Sequence, residues 1–400
     1  MGFQQGLSGL NATARNLEVI GNNVANANTF GFKSSRAEFA DMVSSALAGT
    51  GNTSPGIGTR MTTVAQQFTQ GNITTTENSL DVAINGAGFF ELRDGNGRTL
   101  YTRNGQFKIE AATGNIVTTQ GEQLIGRAAD GSYPSPLRLP TAGMGARSTT
   151  RMAIEANLPA SATAIDPGIA FDPSNVASYN NATSTTVYDS QGNDLALTYY
   201  FRKTAANEWT VHALPEGETT PQTFTLSYDP SGATPTVSPS PASVTMANTP
   251  STGTLNIALD LSTITQYGTA FGVTDLAQDG YAPGQLVGVM IEDNGTITAR
   301  FSNGETLAAG TVQLVTFRNP QGLQPMGGNA WAATTAAGAP IQGNPGEQNR
   351  GMLQSGALED SNVDLTAELV SMMTAQRIYQ ANAQTIKTED AVLQTLVNLR

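Results

Sequence analysis

Few residues in this chain could do chemistry. Histidine occurs once, at His212, and there is no cysteine. A thiolate zinc site, a cysteine nucleophile and a disulfide framework are therefore excluded. Any triad or metal site using histidine would have to pass through His212. That residue sits in a strand-like run beside Trp209, and a surface or half-buried strand position is expected for it. Gly86-Ala87-Gly88 lacks the third glycine of a dinucleotide loop and lies between strand-like runs, so it reads as a tight turn or bulge. Asp189-Ser190-Gln191-Gly192-Asn193-Asp194 has aspartates at loop spacing. It lacks the glycine at the sixth position and the distal glutamate of a calcium loop, so it too reads as a turn. The carboxylate pairs Glu359/Asp360 and Glu389/Asp390 fall beside helix ends or on a helix face, where they would cap or solvate a helix. No catalytic, cofactor or metal residue is expected.

Composition agrees with that absence. Of 400 residues, 39% are hydrophobic and only 13% charged, about half the usual charged fraction. Glycine is abundant, at 42 residues. Such a surface suits short strands and packing against copies of itself. The net charge of −12, with no basic cluster, argues against nucleic-acid binding. Residues 146–282 hold four basic and twelve acidic residues, and so carry −8 of that total. A solvent-facing middle segment with near-neutral flanks is expected. No apolar run reaches membrane-spanning length, and no cleavable secretory signal is expected at the start.

The two ends read as helix. Phe3, Leu7, Leu10, Ala14, Leu17, Gly21 and Val24 recur at alternating steps of four and three, which is a coiled-coil seam. This helix is expected to fray after Asn26. Between Ala357 and Arg400 there is neither glycine nor proline. Ser361 with Asp364 resembles a capping box. The same register then runs through Leu365, Leu369, Met372, Gln376, Tyr379, Ala383, Ile386, Asp390, Leu393 and Val397. A helix over 362–397 would span about 54 Å at 1.5 Å per residue.

Between the ends, β patterning dominates. Residues 29–75 read as an extended connector with little regular structure. Asp94–Gly97, Asp293-Asn294-Gly295 and Ser302-Asn303-Gly304 mark turns between β-prone runs. Strands are expected at Thr185–Tyr188, Asp194–Phe201, Trp209–Ala213, Phe224–Tyr228 and Thr254–Leu259. The fold class is therefore multidomain α+β: paired terminal helices and two mainly antiparallel β domains, the outer inserted in the inner. The expected division is a helical domain of 1–28 with 362–400 and a connector of 29–75 with 356–361. The inner β domain would be 76–145 with 283–355, and the outer one 146–282.

The terminal helices point to self-assembly. About six seam residues on the first helix offer ~2 kcal/mol each on burial. Ordering some two dozen residues costs roughly 1–2 kcal/mol apiece for the backbone. Pairing the two ends helps, yet leaves seam exposed that other copies could cover. Leu7, Leu10, Leu17, Val24, Leu365, Leu369, Met372, Tyr379, Ile386, Leu393 and Val397 are the candidate assembly seam.

Several motifs carry a resemblance. They are Leu7-Ser8-Gly9-Leu10-Asn11, Ile20-Gly21-Asn22-Asn23-Val24-Ala25-Asn26 and Thr29-Phe30-Gly31-Phe32-Lys33 at the start. Asp81-Val82-Ala83-Ile84, Gly88-Phe89-Phe90 and Tyr101-Thr102-Arg103-Asn104-Gly105-Gln106-Phe107 follow. Gly356-Ala357-Leu358-Glu359, Ser361-Asn362-Val363-Asp364-Leu365, Gln384-Thr385-Ile386-Lys387-Thr388 and Leu396-Val397-Asn398-Leu399-Arg400 close the chain. In this order they resemble the flagellar rod and hook axial proteins. Length, Thr186–Asn193 and Gly280-Tyr281-Ala282-Pro283-Gly284 favour the hook branch. The resemblance implies a non-enzymatic subunit of a curved extracellular tube, a universal joint between motor and filament. It implies export through the flagellar type III channel without a cleaved signal. The implied partners are copies of itself, the rod, the hook cap, the hook–filament junction proteins and the export apparatus. No nucleic acid, membrane insertion or cofactor is implied. The alternatives are a distal rod subunit or, in another class, a secreted β-domain enzyme or adhesin.

Overall fold

A computed structural model describes residues 2–42, 56, 58–247 and 253–398. Helix α1 spans Gly2–Ala25 and helix α2 spans Leu365–Asn398. The first ends where expected, with the Asn26 side-chain amide donating to the Asn22 carbonyl at 2.9 Å. The second starts three residues later than expected. Its N-cap is Asp364, not Ser361: Asp364 Oδ1 accepts from the backbone N–H of Thr366 at 2.9 Å and Ala367 at 3.1 Å.

The chain divides into two compact units. One holds Met1–Thr141, Gly288–Ala299 and Leu307–Arg400. The other holds Ala142–Val287 and Arg300–Thr306. Helices, connector and inner β region, expected as separate parts, thus fall within one unit.

In the first unit, α1 and α2 run antiparallel, with Gly6 beside Ile386 at one end and Asn23 bonded to Glu368 at the other. The expected connector is not irregular. Ser35–Met42 and Gly58–Gln66 pair as an antiparallel hairpin that packs on α1. Serine-, threonine- and glycine-rich composition hid it, because its strands are mostly half-exposed and show no clean alternation. The β part is stitched from both halves of the chain. Met352–Ser355 pairs with Val82–Asn85, Leu314–Val315 with Phe89–Phe90, and Ala330–Trp331 with Tyr101–Thr102. A core of Phe89, Tyr101, Phe317, Leu323 and Trp331 forms there, with Phe68 edge-on to Phe89 and Trp331. Edge-to-face packing matches positive ring edges to negative faces.

The second unit holds two five-stranded sheets. One is an antiparallel meander: Asn181–Tyr188, Asp194–Ala205, Glu208–Pro215, Gln222–Tyr228 and Pro235–Ser238. The other centres on Arg151–Pro159, which pairs antiparallel with Gly272–Gln278. It pairs parallel with Leu255–Asp260 and with Thr265–Tyr267, a departure from a purely antiparallel arrangement. Period-two burial along Arg151–Pro159 and Leu255–Asp260 turns one face of each inward. Trp209, Tyr199, Phe201, Ile154 and Ile257 lie in the shared core.

His212 belongs to the meander and is 8% exposed, deeper than its expected surface or half-buried place. Its ring stacks on Phe171 at 4.1 Å. The Gly86 and Gly88 turn is as expected, with φ of 119° and 133° that side-chain-bearing residues avoid. The Asp189 loop is likewise a turn, its Oδ1 accepting from the N–H of Gln191 and Asn193 at 2.9 Å.

Candidate assembly interface

The motifs from the two ends and the middle of the chain meet at one buried ion cluster. Glu359 ends the strand Ala357–Glu359, paired with Ile73–Thr75. Its Oε1 accepts from Lys33 Nζ at 2.5 Å and from the Gly71 N–H at 2.9 Å. Its Oε2 accepts from Arg103 Nη1 at 3.0 Å. The side chains of Lys33 and Glu359 are 0% exposed, and that of Arg103 is 6% exposed. Lys33 also donates to the Thr69 carbonyl at 2.7 Å, and Arg103 to the Gly86 carbonyl at 2.7 Å. Burial lowers the Lys33 pKa from its ordinary value, and the Glu359 carboxylate partly restores it. Glu359 therefore does not cap or solvate a helix, as its sequence position suggested. It is the anion binding two cations from distant segments.

Two asparagines make the next connection. Asn23, 1% exposed, donates to the Ser35 carbonyl at 2.8 Å and to Glu368 Oε1 at 2.9 Å, and accepts from the Ser35 N–H. Asn362 accepts from the Ser34 N–H at 2.7 Å and donates to the Gln67 carbonyl at 2.7 Å. Asparagine can donate and accept at once, so one side chain closes each junction between helix and hairpin. In the sequence these asparagines stand only within the resembling motifs, and their role as junctions is not legible there. Polar residues at fixed motif positions, without neighbouring charge to solvate, were the available signal.

On α1 the helix pair uses a different face from the apolar seam. On α1 the covered positions include Gly6, Ala12, Thr13, Ile20 and Asn23. That set is shifted by about one residue from the leucine stripe. A Cβ at Gly9 would lie 2.9 Å from Asn382, and one at Gly6 would lie 3.0 Å from Ile386. Small residues thus let the backbones approach. Leu7 stays 43% exposed, while Leu10, Leu17 and Val24 are half-buried. On α2, Met372 and Ile386 are half-buried. Leu365, Leu369, Tyr379 and Leu393 are 37–53% exposed. The side chain of Val397 lies outside the described residues.

Among the described residues no group of histidine, cysteine, aspartate and glutamate could hold a metal ion, and no helix is long and apolar enough to cross a membrane.

Comparison with known proteins accounts for this arrangement. Residues 3–33 match the family described as flagella basal body rod protein, and residues 83–169 the flagellar hook protein FlgE/F/G D1 domain. Residues 157–281 match the flagellar basal body protein FlaE D2 domain, and residues 354–399 the flagellar basal body rod FlgEFG protein C-terminal family. The flagellar hook protein FlgE of Salmonella typhimurium is 41% identical, covering 100% of both chains. That of Escherichia coli K12 is also 41% identical over 100% of both, and that of Rhizobium meliloti is 32% identical over 100% of this chain and 98% of its own. The crystal structure of Helicobacter pylori flagellar hook protein FlgE2 shares the fold, with a TM-score of 0.56 at 16% identity. It covers 72% of this chain and 100% of its own. With relatives this similar over their whole length, and with rod and hook families matching at both ends and in the middle, the chain belongs to the flagellar hook protein family, as a structural subunit and not an enzyme.

Proposed function

We propose that this subunit polymerises through the outward apolar faces of its terminal helices into a curved tube. The tube is a flexible coupling between rod and filament. One observation carries this reading. Over the 34 residues of α2, Ala375 is the one buried side chain among the described residues. Leu365, Leu369, Val370, Met373, Ile378, Tyr379, Val392 and Leu393 are all 37% exposed or more. Apolar side chains left uncovered along the length of a helix, on a hook-family subunit, are contact surface for other copies.

Leu7, Leu10, Leu17, Val24, Leu365, Leu369, Met372, Tyr379, Ile386, Leu393 and Val397 form the seam between copies. Residues 1–28 with 362–400 act as the assembly domain, 29–75 with 356–361 as its connection, and 76–145 with 283–355 as the inner β domain. Residues 146–282 act as the outer domain. In the flagellum the tube would meet the rod at one end and the cap and junction proteins at the other. Its subunits would leave the cell through the type III export apparatus without a cleaved signal.

The test is negative-stain microscopy and sedimentation of concentrated protein. Wild-type protein should form tubes. The double variant Leu369→Lys with Leu393→Lys should remain monomeric with an unchanged β fold. Tubes formed by that variant at the wild-type concentration would overturn the reading.

A further inference from the structure

A groove of about 350 Å³ opens where α1, α2 and the hairpin meet. Ala12, Thr13 and Ala375 lie buried along it, at 9%, 8% and 3% exposure. Phe39 of the first hairpin strand and Ile378 of α2 line it too, at 40% and 50% exposure. Thr59 comes from the second hairpin strand, and Gly9, Asn16 and Asn382 complete the lining. No charged side chain lines it.

Building on self-assembly through the terminal helices, we infer that this groove is a socket for an apolar side chain from α2 of a second copy. Three observations select that occupant. The socket is the size of a few side chains, with small residues Gly9, Ala12, Thr13 and Ala375 among larger walls, the form of a hole that receives a knob. It is uncharged, which disfavours the acidic segment 146–282 with its net −8. The knobs exist on the same chain: besides the socket's own Ile378, α2 presents seven large apolar side chains that its own chain leaves exposed.

The socket has a consequence for order of events. Two of its walls, Phe39 and Thr59, belong to the hairpin, so the hairpin must close on the helices before a subunit can receive its neighbour. A helix pair alone would lack those two walls. The hairpin is thereby a specificity element for assembly as well as a connection.

Two measurements test this. Ile378→Lys places a charge at the exposed rim without touching the covered helix face, and Ala375→Leu fills the hole from below. Each should raise the critical concentration for tube formation at least about tenfold, the equivalent of losing one well-buried contact, with helical content of the monomer unchanged. Replacing Phe39 with photoreactive benzoylphenylalanine should give, in tubes, crosslinked dimers whose linked peptides map to 365–398 of the second copy. Wild-type critical concentrations for Ile378→Lys, or crosslinks that map to β strands, would overturn the socket. Failure of the wild-type chain to polymerise would instead overturn the assembly reading itself.

Discussion

The Lys33–Glu359–Arg103 cluster is unevenly charged, with two cations on one buried carboxylate, and that imbalance predicts which substitution hurts more. Glu359→Gln leaves both cations buried without an anion, and breaking a buried pair in this way costs about 3–5 kcal/mol. Lys33→Met removes the surplus charge and keeps the Arg103 pair, the Gly71 N–H bond and most of the volume. It should cost no more than about 1 kcal/mol, as apolar replacements of buried ions often do. Trp331 lies in the core of the first unit and Trp209 in that of the second. Urea unfolding followed by fluorescence in a Trp209→Phe background therefore reads the cluster's own unit. Equal losses for the two variants would contradict the charge argument. His212 makes the second prediction. Burial, with the Arg202 cation adding to it, lowers its pKa from 6.5 to about 4. The folded state thus holds a neutral ring while the unfolded chain takes up a proton below pH 6.5. Its contribution is complete above pH 6.5 and is lost as pH falls toward 4. The loss amounts to roughly 2–3 kcal/mol at most. His212→Phe keeps a ring to stack on Phe171 and cannot titrate, so its melting temperature should fall less than the wild type's between pH 7 and pH 4.5. Parallel curves would show that other groups carry the acid sensitivity. The sequence displayed His212 as the lone histidine and placed it on a strand. It could not show the burial, which depends on Phe171 arriving from a segment some forty residues away.

At the scale of elements, the helices were legible and their pairing face was not. Periodicity locates an apolar stripe, but which flank of the stripe meets the chain's own partner depends on where small residues permit close approach. Gly6 and Gly9 do so here against Ile386 and Asn382. Five strands of the second unit were legible from their β-prone runs, and Asp194–Ala205 runs longer than expected, whereas the central Arg151–Pro159, which also buries one face, was not read as a strand. The hairpin strands 35–42 and 58–66 were illegible because little of them is buried by the chain itself. The junction between these elements is where a local change should propagate. Asn23→Ala removes the bonds to Ser35 and Glu368 and leaves a buried N–H and carbonyl of Ser35 unpaired. It should cost about 1–3 kcal/mol. Because those bonds join α1, the hairpin and α2, hydrogen exchange should speed up around Ser35 and over the first turns of α2, with the second unit unaffected. Exchange altered only within α1 would mean that Asn23 is a packing residue and not a junction. Gly31 fixes the same crossing: its φ is +70°, its N–H donates to the Glu359 carbonyl at 2.7 Å, and a Cβ would lie 2.5 Å from the Asn104 nitrogen. Gly31→Ala should therefore destabilise the first unit by more than the ~1 kcal/mol typical of a left-handed glycine alone, read by the same Trp331 transition. A change under 1 kcal/mol would mean the backbone there yields easily.

For the whole molecule, the division of labour follows from where apolar surface remains uncovered. The second unit closes its own core between two sheets, and Trp209, Tyr199 and Phe201 are 0% exposed. It has no need of neighbours to be stable. The terminal helices do, since α2 leaves most of its apolar side chains in solvent. Polymerisation and the acidic second unit should therefore be separable. A tube that bends while rotating must let each row of subunits lengthen and shorten, so some contacts must hold while others slide. Contacts through buried helix seams are close-packed and resist sliding. Contacts through a weakly apolar, acidic surface are screened and exchangeable. The second unit is thus the part suited to sliding, and it should set curvature without being required for assembly. Deleting 146–282 and joining the flanking residues with a short glycine–serine linker should leave a subunit that still forms tubes. Its tubes should be straight in electron micrographs, and their critical concentration should stay within about tenfold of wild type, since no helix seam is lost. Tubes of unchanged curvature would assign bending to the first unit. Loss of tubes altogether, with the Trp331 transition intact, would show that the second unit holds copies together and is not merely a sliding surface.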